Sequence, residues 1–276
     1  MREKLISKDD IRSVHPIFRG CMGDFLINFI NSFTGINKVN AVYDASKHEP
    51  NGWAFTTDLI QKQGLTVKVE NENILKQFEH GPFITVSNHP YGHLDGIIAI
   101  SVIAKYRPDF KLMVNWILNH IDTMAEHFIC VNPYDKEKNT KLASLHSSLE
   151  GVKQSIEHLK AGHPMGFFPA GSVSFPHLFR PTEDREWQPS VLKLIKKAKA
   201  PIIPMYISGN NSLLYRALGL IDWRVRMVRL LHEVTNKRGK TIYVRLGQPI
   251  SVEEQRKHRN IEDFGNFLKS RTYALK

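Results

Sequence analysis

Residues 87–96 read SNHPYGHLDG, with an apolar run, PFITV (82–86), leading in and another, GIIAISVIA (96–104), leading out. The first run is short and rich in β-branched residues, so it predicts a buried strand. The second predicts a buried helix over 95–106. Proline and glycine between them break both periods and let the chain double back. A strand, a tight turn and a buried helix in succession are the opening unit of an α/β sheet.

The same alternation extends in both directions. Upstream, LTVKVE (65–70) reads as a strand, after a connecting region with an amphipathic segment near 54–63. Downstream, KLMVN (111–115), FICVN (128–132), PMGFFP (164–169), PIIPMYI (201–207) and TIYVRLG (241–247) read as strands. Between them, 140–162 steps its leucines and isoleucines by three and four, from Leu142 to Leu159, and Gly162 stops it. Further helices are predicted at 189–199, 212–219, 222–234 and about 251–271. Near the start, Cys21, Phe25, Leu26, Phe29, Ile30 and Phe33 form one apolar face, predicting a helix packed on the core. The fold expected is α/β, a largely parallel mixed sheet flanked by helices. One domain spans 1–276: an N-terminal helical extension (1–64), an α/β core (65–250) and a C-terminal helix (251–276).

The composition agrees. With 276 residues, 42% hydrophobic and 24% charged, the chain can bury a sizeable core without a disulfide or structural metal. Cys21 and Cys130 are far apart and sit among apolar residues, so both are expected as buried thiols in a reducing compartment. The first residues are polar and charged, so no secretory signal is expected. No stretch reaches the about 20 apolar residues that span a bilayer. The formal net charge of +11 suits anionic headgroups, an acidic carrier protein or nucleic acid. The basic residues are scattered, and no nucleic-acid signature accompanies them, so nucleic acid is not expected among the partners.

The chemistry concentrates in the opening turn. His89 follows a predicted strand and Asp95 precedes a predicted helix, where ligands gather in open α/β sheets. A carboxylate on one imidazole nitrogen would fix the tautomer and leave the other nitrogen as a general base. No serine or cysteine stands out beside it as a nucleophile, which points to direct attack by a substrate hydroxyl or amine. Two other readings stand on the same residues. His89 and His93 make a possible metal pair, which would need further ligands, and Asp95 can simply cap the helix.

With two further blocks in order after it, the turn gives the sequence a resemblance. Asn88–His89…Asp95, FPAGSVS (168–174) and PIIPMYISGNNS (201–212) resemble the PlsC-like lysophospholipid (glycerolipid) acyltransferase superfamily, over about 80–250. NHPYGHLDG is most similar to the hemolysin-like, or ornithine-lipid-type, bacterial branch. The resemblance departs in places. Five residues rather than four separate His89 from Asp95. Ala170, Ser172 and Val173 stand where the family has glutamate, threonine and arginine in FPEGTRS. The second block, at FICVNPYDKEKN (128–139), has no arginine, leaving Asn132, Tyr134 and Lys136 as its candidates.

The resemblance implies acyl transfer from a fatty acyl thioester, on acyl carrier protein or coenzyme A, to the hydroxyl of a lyso-lipid in membrane lipid synthesis. His89 would be the base and Asp95 its partner. Asn88, Tyr91, His93, Asn132, Phe168, Pro169, Gly171, Ser172, Ser174, Pro204 and Gly209 would line the substrate site. Backbone N–H groups near 89–93 or at Gly171 and Ser172 would support the oxyanion. Arg180, Arg185, Arg216 and Arg224 are candidates to meet headgroups, coenzyme phosphates or an acidic carrier. No metal and no bound cofactor are implied, and the expected place is the inner face of the cytoplasmic membrane. Trp187 is expected in the core. The alternatives are an N-acyltransferase with an amino-acid acceptor, and a lipid- or acyl-binding protein of this fold with impaired catalysis.

Overall fold

The computed structural model describes residues 4–9, 12, 20–50, 52–116, 118, 121–131, 141–175 and 182–276. The side chains of residues 21, 22, 29, 32, 141–148, 223–225 and 228 lie outside the description. Seven strands form one sheet: β1 (Thr66–Glu70), β2 (Ile84–Ser87), β3 (Lys111–Asn115), β4 (Phe128–Val131), β5 (Met165–Phe167), β6 (Ile202–Ile207) and β7 (Thr241–Leu246). Their spatial order is β1-β7-β6-β2-β5-β3-β4. All neighbours run parallel except β6 and β7. The sheet is therefore largely parallel and mixed, as expected, and every predicted strand is present.

Before β1, the described residues include the helices α1 (Gly20–Thr34), α2 (Ile36–Ser46) and α3 (Trp53–Lys62). A one-turn helix, α4 (Asn73–Lys76), follows β1. The chain then contributes α5 (His93–Ile103), α6 (Lys141–Lys160), α7 (Pro189–Ala198), α8 (Leu213–Ile221) and α9 (Trp223–Thr235). The expected single C-terminal helix is two, α10 (Val252–Lys257) and α11 (Ile261–Tyr273). Asn260 makes the break, because its Oδ1 accepts the Glu262 N–H at 2.8 Å and starts a second helix.

Both faces of the sheet are covered, which is why the central strands read as unbroken apolar runs. Along β6, Ile203, Met205 and Ile207 pack with α3 and α5. Ile202 points the other way and packs with Leu159 of α6, Leu192 of α7 and Phe264 of α11. The N-terminal helix departs from its predicted face. Ile27, Asn31 and Thr34 are buried, whereas Phe25 is 69% exposed. Cys130 is half-buried rather than buried, and the Cys21 side chain lies outside the described residues.

At the amino ends of the strands, Arg107 ties the loops together. Its Nε and Nη2 donate to the two Asp109 carboxylate oxygens at 2.9 and 2.6 Å. The remaining N–H groups reach the carbonyls of Phe78, Gly81 and Gly162 at 3.0, 2.6 and 3.0 Å. Those carbonyls lie just before β2 and β5, so one buried guanidinium fixes where both strands begin. Replacing it leaves three carbonyls without their donor and the Asp109 carboxylate with His163 as its remaining side-chain partner. Arg107→Ala should lower the unfolding free energy by about 3 kcal/mol or more, read as a lower denaturant midpoint at unchanged slope.

Candidate functional site

At the opposite, carboxyl edge of the sheet, β2, β5 and β6 end side by side. Asn88 continues the ladder with its side chain. Its Nδ2 donates to Ile207 O at 2.9 Å, and its Oδ1 accepts the Ile207 N–H at 2.8 Å. The next residue, His89, is then held through its backbone on both sides. Its N–H donates to Asp184 Oδ1 at 3.1 Å, and its carbonyl accepts the Ser174 N–H at 2.8 Å.

The turn that follows exists to present one carboxylate. Gly92 has φ 85°, and a Cβ there would sit 3.0 Å from both Leu230 Cδ1 and Val173 Cγ2. With the chain folded this way, the N–H groups of Tyr91 and Gly92 both donate to Asp95 Oδ2 at 2.8 Å. Asp95, at the third position of α5, thereby caps its own helix. The same oxygen lies 2.8 Å from His89 Nδ1. That is a hydrogen-bond distance, although the ring N–H is turned off the line to the oxygen. The helix cap and the dyad are therefore one carboxylate. Full burial pushes the Asp95 carboxyl above its ordinary range, against the pull of His89 and the two turn amides.

The His89 ring lies flat on Phe168, centroids 4.3 Å apart and planes at 22°. This stacking fixes the second ring torsion. Nε2 has no partner among the described residues. His93, one turn along, does not reach Asp95. Burial, and then the nearby His89, push its imidazole down to about 4, so it is neutral at physiological pH. Its Nδ1 is sealed without a partner. Among the described residues, no three His, Cys, Asp or Glu side chains gather as a metal-ligand set.

Tyr91 is a wedge. It is buried, and its hydroxyl donates to Ser208 O at 3.1 Å. Gly209, at φ 96°, makes room for it, because a Cβ there would meet the Tyr91 oxygen at 2.0 Å. Lys237 sits 5.3 Å over the Tyr91 ring. Its Nζ donates to the fully buried Glu233 at 2.7 Å. Glu233 also accepts the Ser212 N–H and Oγ–H at 2.8 and 2.6 Å, which anchors the start of α8. Pro204 lies within β6, away from the turn, where its carbonyl accepts the Gly247 N–H.

The FPAGSVS segment turns beside His89. Phe168 forms the stack and Pro169 O accepts the Gln188 N–H. Gly171, at φ 63°, leaves space for Gln188 Nε2, 2.1 Å from where a Cβ would be. Its N–H donates to Phe168 O at 2.9 Å, so it is not free for a ligand. The His89, Tyr91 and Gly92 amides are likewise engaged. The Ser172 amide and those of His93 and Leu94, at the start of α5, have no hydrogen-bond acceptor among the described residues. Ala170 and Val173, at the family's acidic and arginine positions, are both buried. Asn132, Tyr134, Lys136 and Arg180 lie outside the described residues, as does the Arg224 side chain. Arg185 is exposed above Phe175, 5.1 Å from its ring, and Arg216 is half-buried on α8.

The residue that joins these pieces carried no local sequence signal. Asp184, 5% exposed, accepts the His89 N–H, the Ser174 Oγ–H at 2.6 Å and the Trp187 Nε1–H at 3.1 Å. Its own N–H donates to the Tyr273 hydroxyl of α11 at 2.7 Å. Asp184 thus fastens the first block, the third block and the C-terminal helix to one another. Trp187 is in the core, as expected.

A family model described as Acyltransferase matches residues 37–276, and the chain belongs to that acyltransferase family. It is 24% identical over 261 residues to the lyso-glycine lipid O-acyltransferase of Bacteroides thetaiotaomicron, covering 91% of this chain and 90% of that protein. The protein of the same description from Phocaeicola vulgatus is 23% identical, covering 91% and 88%. Among solved structures, PlsC from Thermotoga maritima, a 1-acyl-sn-glycerophosphate acyltransferase, is similar with a TM-score of 0.52 at 13% identity. That match covers 91% of this chain and 88% of the other. At that identity the likeness is one of fold.

Proposed function

We propose that this member of the acyltransferase family moves a fatty acyl group from a thioester, on acyl carrier protein or coenzyme A, to the hydroxyl of a lyso-lipid. A lyso-glycine lipid, the substrate named in the description of its relatives, is the first acceptor to test. The observation that carries the reading is the 2.8 Å approach of His89 Nδ1 to Asp95, with Nε2 left open at the strand ends.

His89 Nε2 takes the acceptor proton as its oxygen attacks the thioester carbonyl carbon. Asp95 stabilises the imidazolium that forms and keeps Nδ1 protonated. The tetrahedral oxyanion collapses to the ester and expels the thiolate, which takes the proton back from Nε2. The His93, Leu94 and Ser172 amides are the donors best suited to the oxyanion, and two of them lie at the positive end of α5. Attack by the acceptor itself fits the neighbouring hydroxyls. Ser87 Oγ donates to Asn88 O, and Ser174 Oγ donates to Asp184.

No helix among the described residues is long and apolar enough to cross a membrane. The acceptor must then be met at a surface, and α8 supports one. Leu213, Leu214, Leu220 and Ile221 are 66, 48, 48 and 80% exposed. Met227 on α9, which packs on α8, and Phe25 on α1, which packs on α9, are also exposed. Together with the net charge of +11, such a face suits an anionic bilayer. Its helix begins six residues beyond β6, beside the proposed site.

Two outcomes test this reading. His89→Ala should cut acyl transfer by about 10²–10⁴-fold with an unchanged melting temperature. A smaller loss would remove His89 from the chemistry. The double substitution Leu213→Ser, Ile221→Ser should reduce co-sedimentation with phosphatidylglycerol-containing vesicles by about tenfold or more. Transfer to a soluble short-chain acceptor should be unchanged. Undiminished vesicle binding would move the membrane contact elsewhere.

A further inference from the structure

Helix α9 runs along α8 and touches the start of α5, and it buries an arginine there. Arg226 is 6% exposed. Its Nη2 donates to Val173 O at 3.3 Å, and its guanidinium carbon lies 5.6 Å over the Tyr215 ring. Nε is sealed from solvent with no acceptor, and no carboxylate of the described residues pairs with it. Arg107, equally buried, has every nitrogen matched and a bidentate carboxylate, whereas Arg229, which also leaves Nε without an acceptor, is only half-buried. A buried cation with one long carbonyl bond is costly to keep, since its lost hydration is not replaced.

The surroundings share the defect. Tyr215 is 1% exposed, and its hydroxyl has no partner. Asn211 is 3% exposed, and its Oδ1 has none, while Nδ2 makes a 3.4 Å contact to Tyr91 O. Two orphan donors and one orphan acceptor thus stand in the layer just behind the turn. That layer adjoins the proposed dyad. Val173, whose carbonyl Arg226 contacts, precedes Ser174, whose amide holds His89. Val173 Cγ2 also closes on Gly92.

We infer that Arg226, with the Tyr215 hydroxyl, binds the anionic headgroup of the acceptor, a carboxylate or a phosphate. The guanidinium fork suits either group. Neither the third block, with Val173, nor the described part of the second supplies an arginine, so α9 provides the cation from outside both motifs. Asn211 Oδ1 adds an acceptor for an N–H of the headgroup, which favours an amino-acid carboxylate over a phosphate. This site rests on the lyso-lipid reading for the identity of its ligand, but its binding can be measured without turnover.

The test is the melting temperature of the full chain with a short-chain N-acylglycine, its methyl ester, or a lysophosphatidate of equal chain length. The wild type should rise by about 5 °C at saturating acid and respond little to the ester. Arg226→Met should lose the response to the acid and, without ligand, melt at or above the wild type, because an unpaired buried charge is gone. A larger response to lysophosphatidate than to the acid, also lost in Arg226→Met, assigns the anion as phosphate. Equal responses to acid and ester, or an unchanged response in Arg226→Met, would overturn the site. If Arg226→Met does not fold, Arg226→Gln is read in its place. Unfolding of both would make the guanidinium a structural strut and overturn the inference. A wild type that binds the acid yet transfers no acyl group would leave this site standing and defeat the transfer reading alone.

Discussion

One carboxylate oxygen, Asp95 Oδ2, gathers three nitrogens at 2.8 Å: the Tyr91 and Gly92 amides and the His89 ring. Much of the local sequence follows from that contact. The chain can wrap its own helix start only if position 92 accepts a left-handed φ and the close approach of Leu230 and Val173, which is a glycine's position. Folding Tyr91 inward then requires a second glycine, Gly209, two residues past the end of β6. The extra residue between His89 and Asp95, relative to the family spacing, is taken up in this wrapped turn without separating the pair.

Around the contact, the frame is polar but almost fully matched. Asn88 splices β2 to β6, Asp184 joins His89 to the FPAGSVS turn and α11, and Glu233 with Lys237 braces Ser212 and Tyr91. A buried network of this kind stabilises only when its members are satisfied. The exceptions are therefore informative. Near the turn they include Arg226, Tyr215 and Asn211, behind it, and Asp95 Oδ1 with the Nδ1 atoms of His89 and His93 within it. The buried positions of Ala170 and Val173 explain why the family's charged residues are absent there: apolar packing takes their place, and cations approach from α9 instead.

The strands were legible because buried β-runs and Gly or Pro breaks are local signals, and all seven appear where PFITV, KLMVN and their like predict them. Helix α2 was not, since INKVNAVYDAS is polar and its periodicity weak. The break at Asn260 was readable in principle, as a capping asparagine followed by two acidic residues. His89 and Asp95 could be singled out because both belong to one turn. Asp184 could not, since its partners His89, Ser174 and Tyr273 are brought together only by the fold. The same holds for Arg226, whose lack of a partner is a property of packing and invisible in RVRMVR.

The central claim is that the acceptor hydroxyl attacks the thioester directly, with no acyl group resting on the protein. Intact-protein mass spectrometry after incubation with an acyl thioester alone tests this most directly. The account predicts an unmodified chain, and ester product only once a lyso-lipid is added. A stable, stoichiometric acyl adduct that passes its acyl group to the lyso-lipid would contradict it.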